Sequence, residues 1–482
     1  MKKMNLISAA LAAILTVTMT GCGLNRNAAD TAEQTAAVTG DQSEGTDTGR
    51  THTAKNQTAD AQKSKADTVE AAELSHKAVP AEQNSEELFT ERDLAQTADL
   101  SEAQKITVSD GQTIDITDEG VYVLSGTAEN CTVRVNADKA AKIQLVLDGV
   151  RITNDSFPAI YVISADKVFI TTTDSESTLT VSGKFKADGD TNTDAVIFSK
   201  DDLVLNGTGT LNITSNYGNG VTCKDDLKIT GGTYHVTAAL DSFEANDSIS
   251  VYDGTFSIKT EKDGFHCEND AAEGTITILG GTYTISGGSD GMQACALLQI
   301  DGGTMDITAA EGLEATYVRI NGGDITISAS DDGINASTGT TACETAVEIN
   351  GGNLNVTVGQ GDTDAIDANG SIYVNGGTIN ITAQMSSFDY DKTAEFNGGT
   401  IIINGQEVSE IPQSMMGGMG GRMNGEAGGM QSGMKENFGG GRGGFSEDTE
   451  NGTDSRMRGG RGNLNGQQKN GEMPFFGTEN TL

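Results

Sequence analysis

The chain has 482 residues, with 62 glycines, 4 prolines, no tryptophan and a formal net charge of −38. That charge disfavours a nucleic-acid partner, which calls for basic surface, and disfavours an anionic ligand unless a cation stands between. Glycine, Thr, Asn, Asp and β-branched residues abound without Leu-rich helical periodicity, which indicates β structure.

The chain opens with Lys2 and Lys3, an apolar run from about Leu6 to Val17, and then "MTGC" ending at Cys22. This is the pattern of a bacterial lipoprotein signal, in which Cys22 is lipidated and becomes the mature N-terminus; an ordinary secretory signal is the alternative. The apolar run is too short to span a bilayer. The expected location is therefore the extracellular face of the cell membrane, reached through a lipid anchor only. Residues 23–104 are Ala-, Thr-, Gln-, Asp- and Glu-rich with hardly an aromatic, and are expected to form a disordered tether. Its average reach is about 50 Å.

From Lys105 to Thr214 run long units such as "GVYVLSGT", "KIQLVLDGVRIT" and "DAVIFSKDDLVLNGTGTLNIT". Their beginning reads as a cap and the rest as early coils. A repeat then becomes plain: "GTLNIT" at Gly209, "GTYHVT" at Gly232, "GTFSIK" at Gly254, "GTYTIS" at Gly281, "GTMDIT" at Gly303, and on through Gly323, Gly352, Gly377 and Gly399. The intervals are 23, 22, 27, 22, 20, 29, 25 and 22 residues, which suggests one coil per repeat with extra residues looped out at a corner. Each unit holds three alternating stretches, for example Tyr234/Val236, Phe243/Ala245 and Ile249/Val251, whose period of two sends the pairs to one face. One coil cannot bury that face, but stacked coils about 4.8 Å apart can. The expected fold class is all-β: a right-handed parallel β-helix of about a dozen coils over residues 105–410. A propeller is the rival, but its blades need about 40 residues. Residues 411–482 form a Gly- and Met-rich tail read as disordered; Cu(I) binding by its thioethers is the alternative. The five cysteines after Cys22 form no CxxC pair and suggest neither a zinc site nor a full disulfide framework.

The coils keep an acid at one corner. Asp194, Asn219, Asp241, Asp263, Asp290, Glu311, Asp332 and Asp364 align, with Glu261, Asp331 and Asp362 as second acids close by. On the outward side of the following strand stand Glu244, His266, Gln293, Glu314, Asn335 and Asp367. Residues 241–370 hold 22 Asp and Glu against 3 Lys and Arg, so repulsion along such a file needs neutralising. The coil spacing is close to twice a Ca–O distance of about 2.3–2.6 Å. Calcium is therefore the expected cofactor, held by Asp241, Glu261, Asp263, Asp290, Glu311, Asp331, Asp332, Asp362 and Asp364. The six outward residues are then the candidate carbohydrate contacts. The plainer alternative is that Asp-Gly is good turn chemistry and the charge aids solubility.

Taken together, "GVYVLSGT", "IQLVLDGVRIT", "FSKDDLVLNGTGTLNIT", "CKDDLKITGGT" and the "SDG" and "DDGIN" corners resemble the bacterial carbohydrate-binding domain of clostridial cell-surface proteins. The resemblance spans about residues 105–405 and departs at "DSFEAND", where Ser242 replaces the corner glycine. It implies a pectate-lyase-like parallel β-helix, calcium, and binding to cellulose or acidic plant-wall polysaccharides such as polygalacturonate. The leading expectation is a monomeric, non-catalytic, calcium-dependent polysaccharide binder. A calcium-dependent lyase, for which Arg319 is the only arginine in residues 241–370, and a structural spacer or adhesin are the alternatives.

Overall fold

A computed structural model describes residues 78–412 apart from Asp270 and Asp362, all within the compact unit spanning residues 75–482. The expected signal with Cys22, most of the tether and the Gly/Met-rich tail lie outside the described residues, as does Asp362. Among the described residues one four-residue helix, Ser85–Leu88, accompanies 36 strands, and no helix is long and apolar enough to cross a membrane.

The strands build a parallel β-solenoid of about twelve turns. The Gly-Thr stretches form the first ladder, twelve parallel strands closed by one antiparallel strand, Gln406–Val408. The stretches after the acid corner form the second ladder, and those before the next glycine pair form the third. Register is kept from coil to coil, for example Tyr234, Phe256, Tyr283 and Met305 in the first ladder. The expected cap at Lys105 is itself the first turn, because Gln104–Thr107 and Thr113–Ile116 already pair in parallel with Tyr122–Ser125 and Thr132–Val135.

All three apolar files face one continuous core, running from Val108 to Ile401. Its middle holds two aromatic stacks. Tyr234, Phe256 and Tyr283 lie face to face at 5.4 and 4.7 Å, and Phe243 and Phe265 at 5.0 Å, with edge-to-face contacts between the stacks. The stacking distance follows the coil rise, so aromatic packing and strand pairing reinforce the same register.

Variable repeat length is absorbed at two corners. The 27- and 29-residue repeats extend the turn between second and third strands, over residues 268–274 and 337–345. In the repeats beginning at Gly281 and Gly303 that turn vanishes, and Asp290–Ile300 and Glu311–Ile320 run unbroken through both ladders, joining them as one sheet.

Two side-chain features lie outside the core. Before the glycine pairs, Asn350, Asn375 and Asn397 each donate an amide to the asparagine one coil earlier at 2.8–2.9 Å, and Asn321 donates to Asp301. Residues 78–97, expected in the tether, instead lie along the outer face of the third ladder, against the direction of coil growth. Ala78 bridges to Cys343, Gln83 pairs with the Gln299 side chain, Lys228 donates to the Leu88 carbonyl, and Asn206 donates to the Ala95 carbonyl. Beneath them Gln299, Arg319, Thr230 and Asn206 are buried. The boundary of any tether therefore falls before Ala78, not at residue 104.

Candidate functional site

The acid corner is built by close approach. A Cβ on Gly291 or Gly312 would sit 2.5 or 2.4 Å from the carbonyl oxygen of the next coil, so in those coils only glycine fits after the acid. Ser242 and Ala365, after Asp241 and Asp364, are exceptions. Ser242 is fully buried with its Oγ unpartnered among the described residues, yet its backbone bonds to Asp263 and Val221 are kept at 3.0 Å.

The corner acids form a file. Asp241 N–H donates to Asn219 Oδ1 at 2.9 Å, Asp263 N–H to Asp241 Oδ1 at 3.1 Å, and Asp290 N–H to Asp263 Oδ1 at 2.9 Å. Asp290 pairs with Glu311 in register, and Asp364 N–H donates to Asp332 Oδ1 at 2.7 Å. One oxygen of several corner acids thus satisfies the backbone of the next coil, which is a structural reason for an acid or Asn there. The outward residues form a second file in strict register, Glu244–His266–Gln293–Glu314–Asn335–Asp367. Glu261 and Asp331 are exposed, and neither belongs to a carboxylate cluster close enough to share an ion among the described residues.

Charge compensation divides the column. In its earlier coils Lys224 Nζ lies 3.0 Å from Glu244, Lys262 Nζ 2.9 Å from Asp241, and His266 Nδ1 2.9 Å from Asp263. Burial pushes Asp263 up, but the bond from His266 and the backbone bond from Asp290 outweigh it and hold this carboxyl below its ordinary value. Burial works against His266 as well, yet Asp263 and Asp241 leave the imidazole raised. Asp241, Asp263 and His266 form one cluster with ligand atoms within 4.8 Å, already supplied with cations by the protein.

Two coils on, Asp290, Glu311 and Glu314 form a second cluster within 4.8 Å. Its hydrogen-bond partners among the described residues are neutral: Asn335 donates to Glu311 at 2.9 Å, Gln293 and Ser337 to Glu314 at 2.7 Å, and Ser289 to Asp290 at 3.4 Å. Burial, then Asp263, Glu311 and Glu314, push Asp290 up to about 8. Burial, with Glu314, Asp332 and Asp331 adding to it, pushes Glu311 up to about 7. Asp367 is likewise raised to about 7 by burial and by Asp332, Asp364 and Asp389. Asn335 Oδ1 is buried with no hydrogen-bond partner among the described residues. Three carboxylates and an orphaned amide oxygen are a hard, oxygen-only donor set of the kind that suits Ca²⁺.

A cavity of about 80 Å³ adjoins this cluster, lined by His266, Gln293, Cys295, Glu314, Thr316 and Ser337 among others. The projecting turns 268–274 and 337–345 flank it. The sequence singled out His266, Gln293 and Glu314 but not Ser337, Thr316 or the neutralising Lys262 and Lys224. It also passed over Asp202, Asp225 and Asp226, which cluster where "SKDD" and "CKDD" stack; burial, with Asp202, Asp226 and Asp247 adding to it, raises Asp225 to about 6. Arg319 is remote from the corner column. It lies on the third ladder, 5% exposed, bonded to Glu348 at 2.9 Å and to the Pro80 carbonyl at 2.9 Å.

The molecule is thus a parallel β-solenoid with an acidic file along one corner and a polar file beside it. A family described as carbohydrate-binding domain-containing protein matches residues 110–363 and again 316–436, and the chain belongs to that family. A carbohydrate-binding domain-containing protein from Acetivibrio thermocellus is 38% identical over 128 residues, which is 26% of this chain and 45% of that protein. The chain therefore aligns with less than half the length of that relative. A solved structure of a polysaccharide lyase-like protein from C. thermocellum, a gadolinium derivative, aligns at 24% identity over 63% of this chain and 97% of that one. Its TM-score of 0.31 is too low to bear on the site.

Proposed function

We propose that the acid-corner face binds a polysaccharide in a calcium-dependent, non-catalytic manner, with an acidic plant-wall polymer such as polygalacturonate, or cellulose, as the ligand. The observation that carries this reading is the Asp290–Glu311–Glu314 cluster, whose hydrogen-bond partners are neutral, set beside an outward file of imidazole, amide and carboxyl groups. A Ca²⁺ there would supply the positive charge that this cluster lacks and open coordination positions for sugar hydroxyls or uronate carboxylates. Asp290, Glu311 and Glu314 would hold it, with Asn335 Oδ1 as a further donor, and Gln293, His266 and Asp367 would contact sugar along the file. Membership of a carbohydrate-binding family supports the ligand class. The placement of Arg319 beneath residues 78–97 favours binding over elimination chemistry, because it removes that guanidinium from the column.

Lipidation at Cys22 and display on the extracellular face complete the proposal, and a linear binding face on a monomer would suit capture of a polymer. Pull-down on a panel of wall polysaccharides, with and without chelator, tests it. Binding to at least one polymer, lost in chelator and in Glu311→Gln/Glu314→Gln, is the expected result. Retention that ignores both would overturn the calcium reading, and ultraviolet absorbance from unsaturated uronates would restore the lyase.

A further inference from the structure

We propose that residues 78–84 control this face from behind, acting through the turn 337–345; the proposal rests on the reading of the face given above and names a regulation of it. The turn touches both partners. On one side Ala78 forms a parallel bridge with Cys343, and Glu344 N–H donates to the Ala78 carbonyl at 3.2 Å. On the other, Ser337 Oγ donates to Glu314 Oε1 at 2.7 Å. Between them the N–H groups of Gly339 and Thr340 both donate to Thr316 Oγ1, at 2.8 and 2.9 Å. The nine residues gripped by the N-terminal segment therefore also hold one carboxylate of the cluster and wall the adjoining cavity.

The grip is of a kind that opens locally. No β ladder ties residues 79–84 to the solenoid. The Gln299 side chain stands in for a neighbouring strand, accepting from Gln83 N–H at 3.0 Å and donating to the Gln83 carbonyl at 2.8 Å, while Arg319 donates to the Pro80 carbonyl. Both side chains keep second partners when the segment leaves: Gln299 with Asp301 at 3.1 Å, and Arg319 with Glu348. Lifting this stretch uncovers polar groups that water can satisfy, so its cost falls well below that of opening the core. Further along, Phe89 against Tyr252 and Asn206 under Ala95 fasten the segment more firmly. The lifting unit therefore ends near the helix Ser85–Leu88.

With the segment seated, the turn is pinned at Ala78 and at Thr316, and Ser337 fixes Glu314 in the cluster. With it lifted, the turn loses its Ala78 end and is left with Thr316, the Ser337 N–H bond to the Ala315 carbonyl and the packing of Cys343 on Leu297 and Tyr317, so Ser337 holds Glu314 less tightly and Gln293 becomes its firmer partner. By linkage, any ligand that needs Glu314 in place must tighten the segment by the same factor by which the seated segment tightens the ligand.

Gln299→Ala in the full chain removes both bonds to Gln83 and touches neither the turn nor the face. Hydrogen exchange at Gly339 and Thr340 should rise about fivefold or more, with core amides such as Ile307 unchanged, and affinity for calcium alone, measured by calorimetry, should fall by a similar factor. In the unaltered chain, saturating calcium should slow exchange at Gln83 and Glu344 to match. Ser337→Ala approaches from the other end and should speed exchange at Gln83, which keeps the test decisive if Gln299→Ala misfolds. Unchanged exchange at Gly339 and Thr340, or at Gln83 in Ser337→Ala, overturns the coupling. Calcium binding of equal strength in unaltered and altered chains overturns the regulation alone, whereas an unaltered chain that takes up no calcium overturns the metal reading and this proposal with it.

Discussion

Asp263 serves the backbone and the face at once: Oδ1 accepts from Asp290 N–H and Oδ2 pairs with His266. Asn219 performs the first task for Asp241 without a charge. Asp263→Asn should therefore keep the fold, whereas Asp263→Ala leaves a buried N–H unsatisfied and should cost about 1–3 kcal/mol by urea denaturation. The corner pattern was legible in the sequence because in most coils glycine follows an acid whose coil lies hard against the next. Which acids were already compensated was not, since Lys224, Lys262 and His266 reach the column only once coils stack at a fixed register.

At the level of elements, the longer aromatic stack depends on its middle ring. Phe256 lies between Tyr234 and Tyr283, and Phe256→Ala should cost about 3–5 kcal/mol in chemical denaturation, with the loss centred on coils 234–285 in hydrogen exchange. The three ladders could be read from alternation alone, since pairs such as Phe265/Cys267 and Val318/Ile320 are buried as a period of two requires. Residues 78–97 escaped that reading for a physical reason. They carry little apolar periodicity, and their backbone is held by side-chain amides from Gln299 and Asn206 and by the Lys228 ammonium, partners at separations of more than 100 residues that local sequence does not announce.

Over the whole molecule, the raised carboxyls set a pH dependence. A carboxyl raised on folding binds its proton more tightly in the folded chain, so its contribution is complete below its unfolded value of about 4 and is lost as pH climbs through the folded value. For Asp290 at about 8, and for Glu311 and Asp367 at about 7, that loss spans pH 4 to 8. His266, raised by its carboxylate neighbours, loses its share in the same direction. Metal-free chain should therefore melt lower at pH 8 than at pH 5. Calcium should raise the melting temperature more at pH 8, because ligation needs the deprotonated acids. Thermal melts at both values, with calcium and with chelator, check the sign.

The asparagine ladder sets a chemical clock. Each of Asn321, Asn350, Asn375 and Asn397 precedes a glycine, the pairing in which the following backbone nitrogen most readily attacks the amide carbon and expels ammonia, closing a succinimide that water then opens to an aspartyl or isoaspartyl residue. A rung that donates to one neighbour and accepts from the other must leave the stack before that attack. Asn397 donates to Asn375, but among the described residues no amide donates to it in turn. Within the ladder, ageing of the stored protein should therefore start at that last rung and work inward, in an order that peptide mapping can follow.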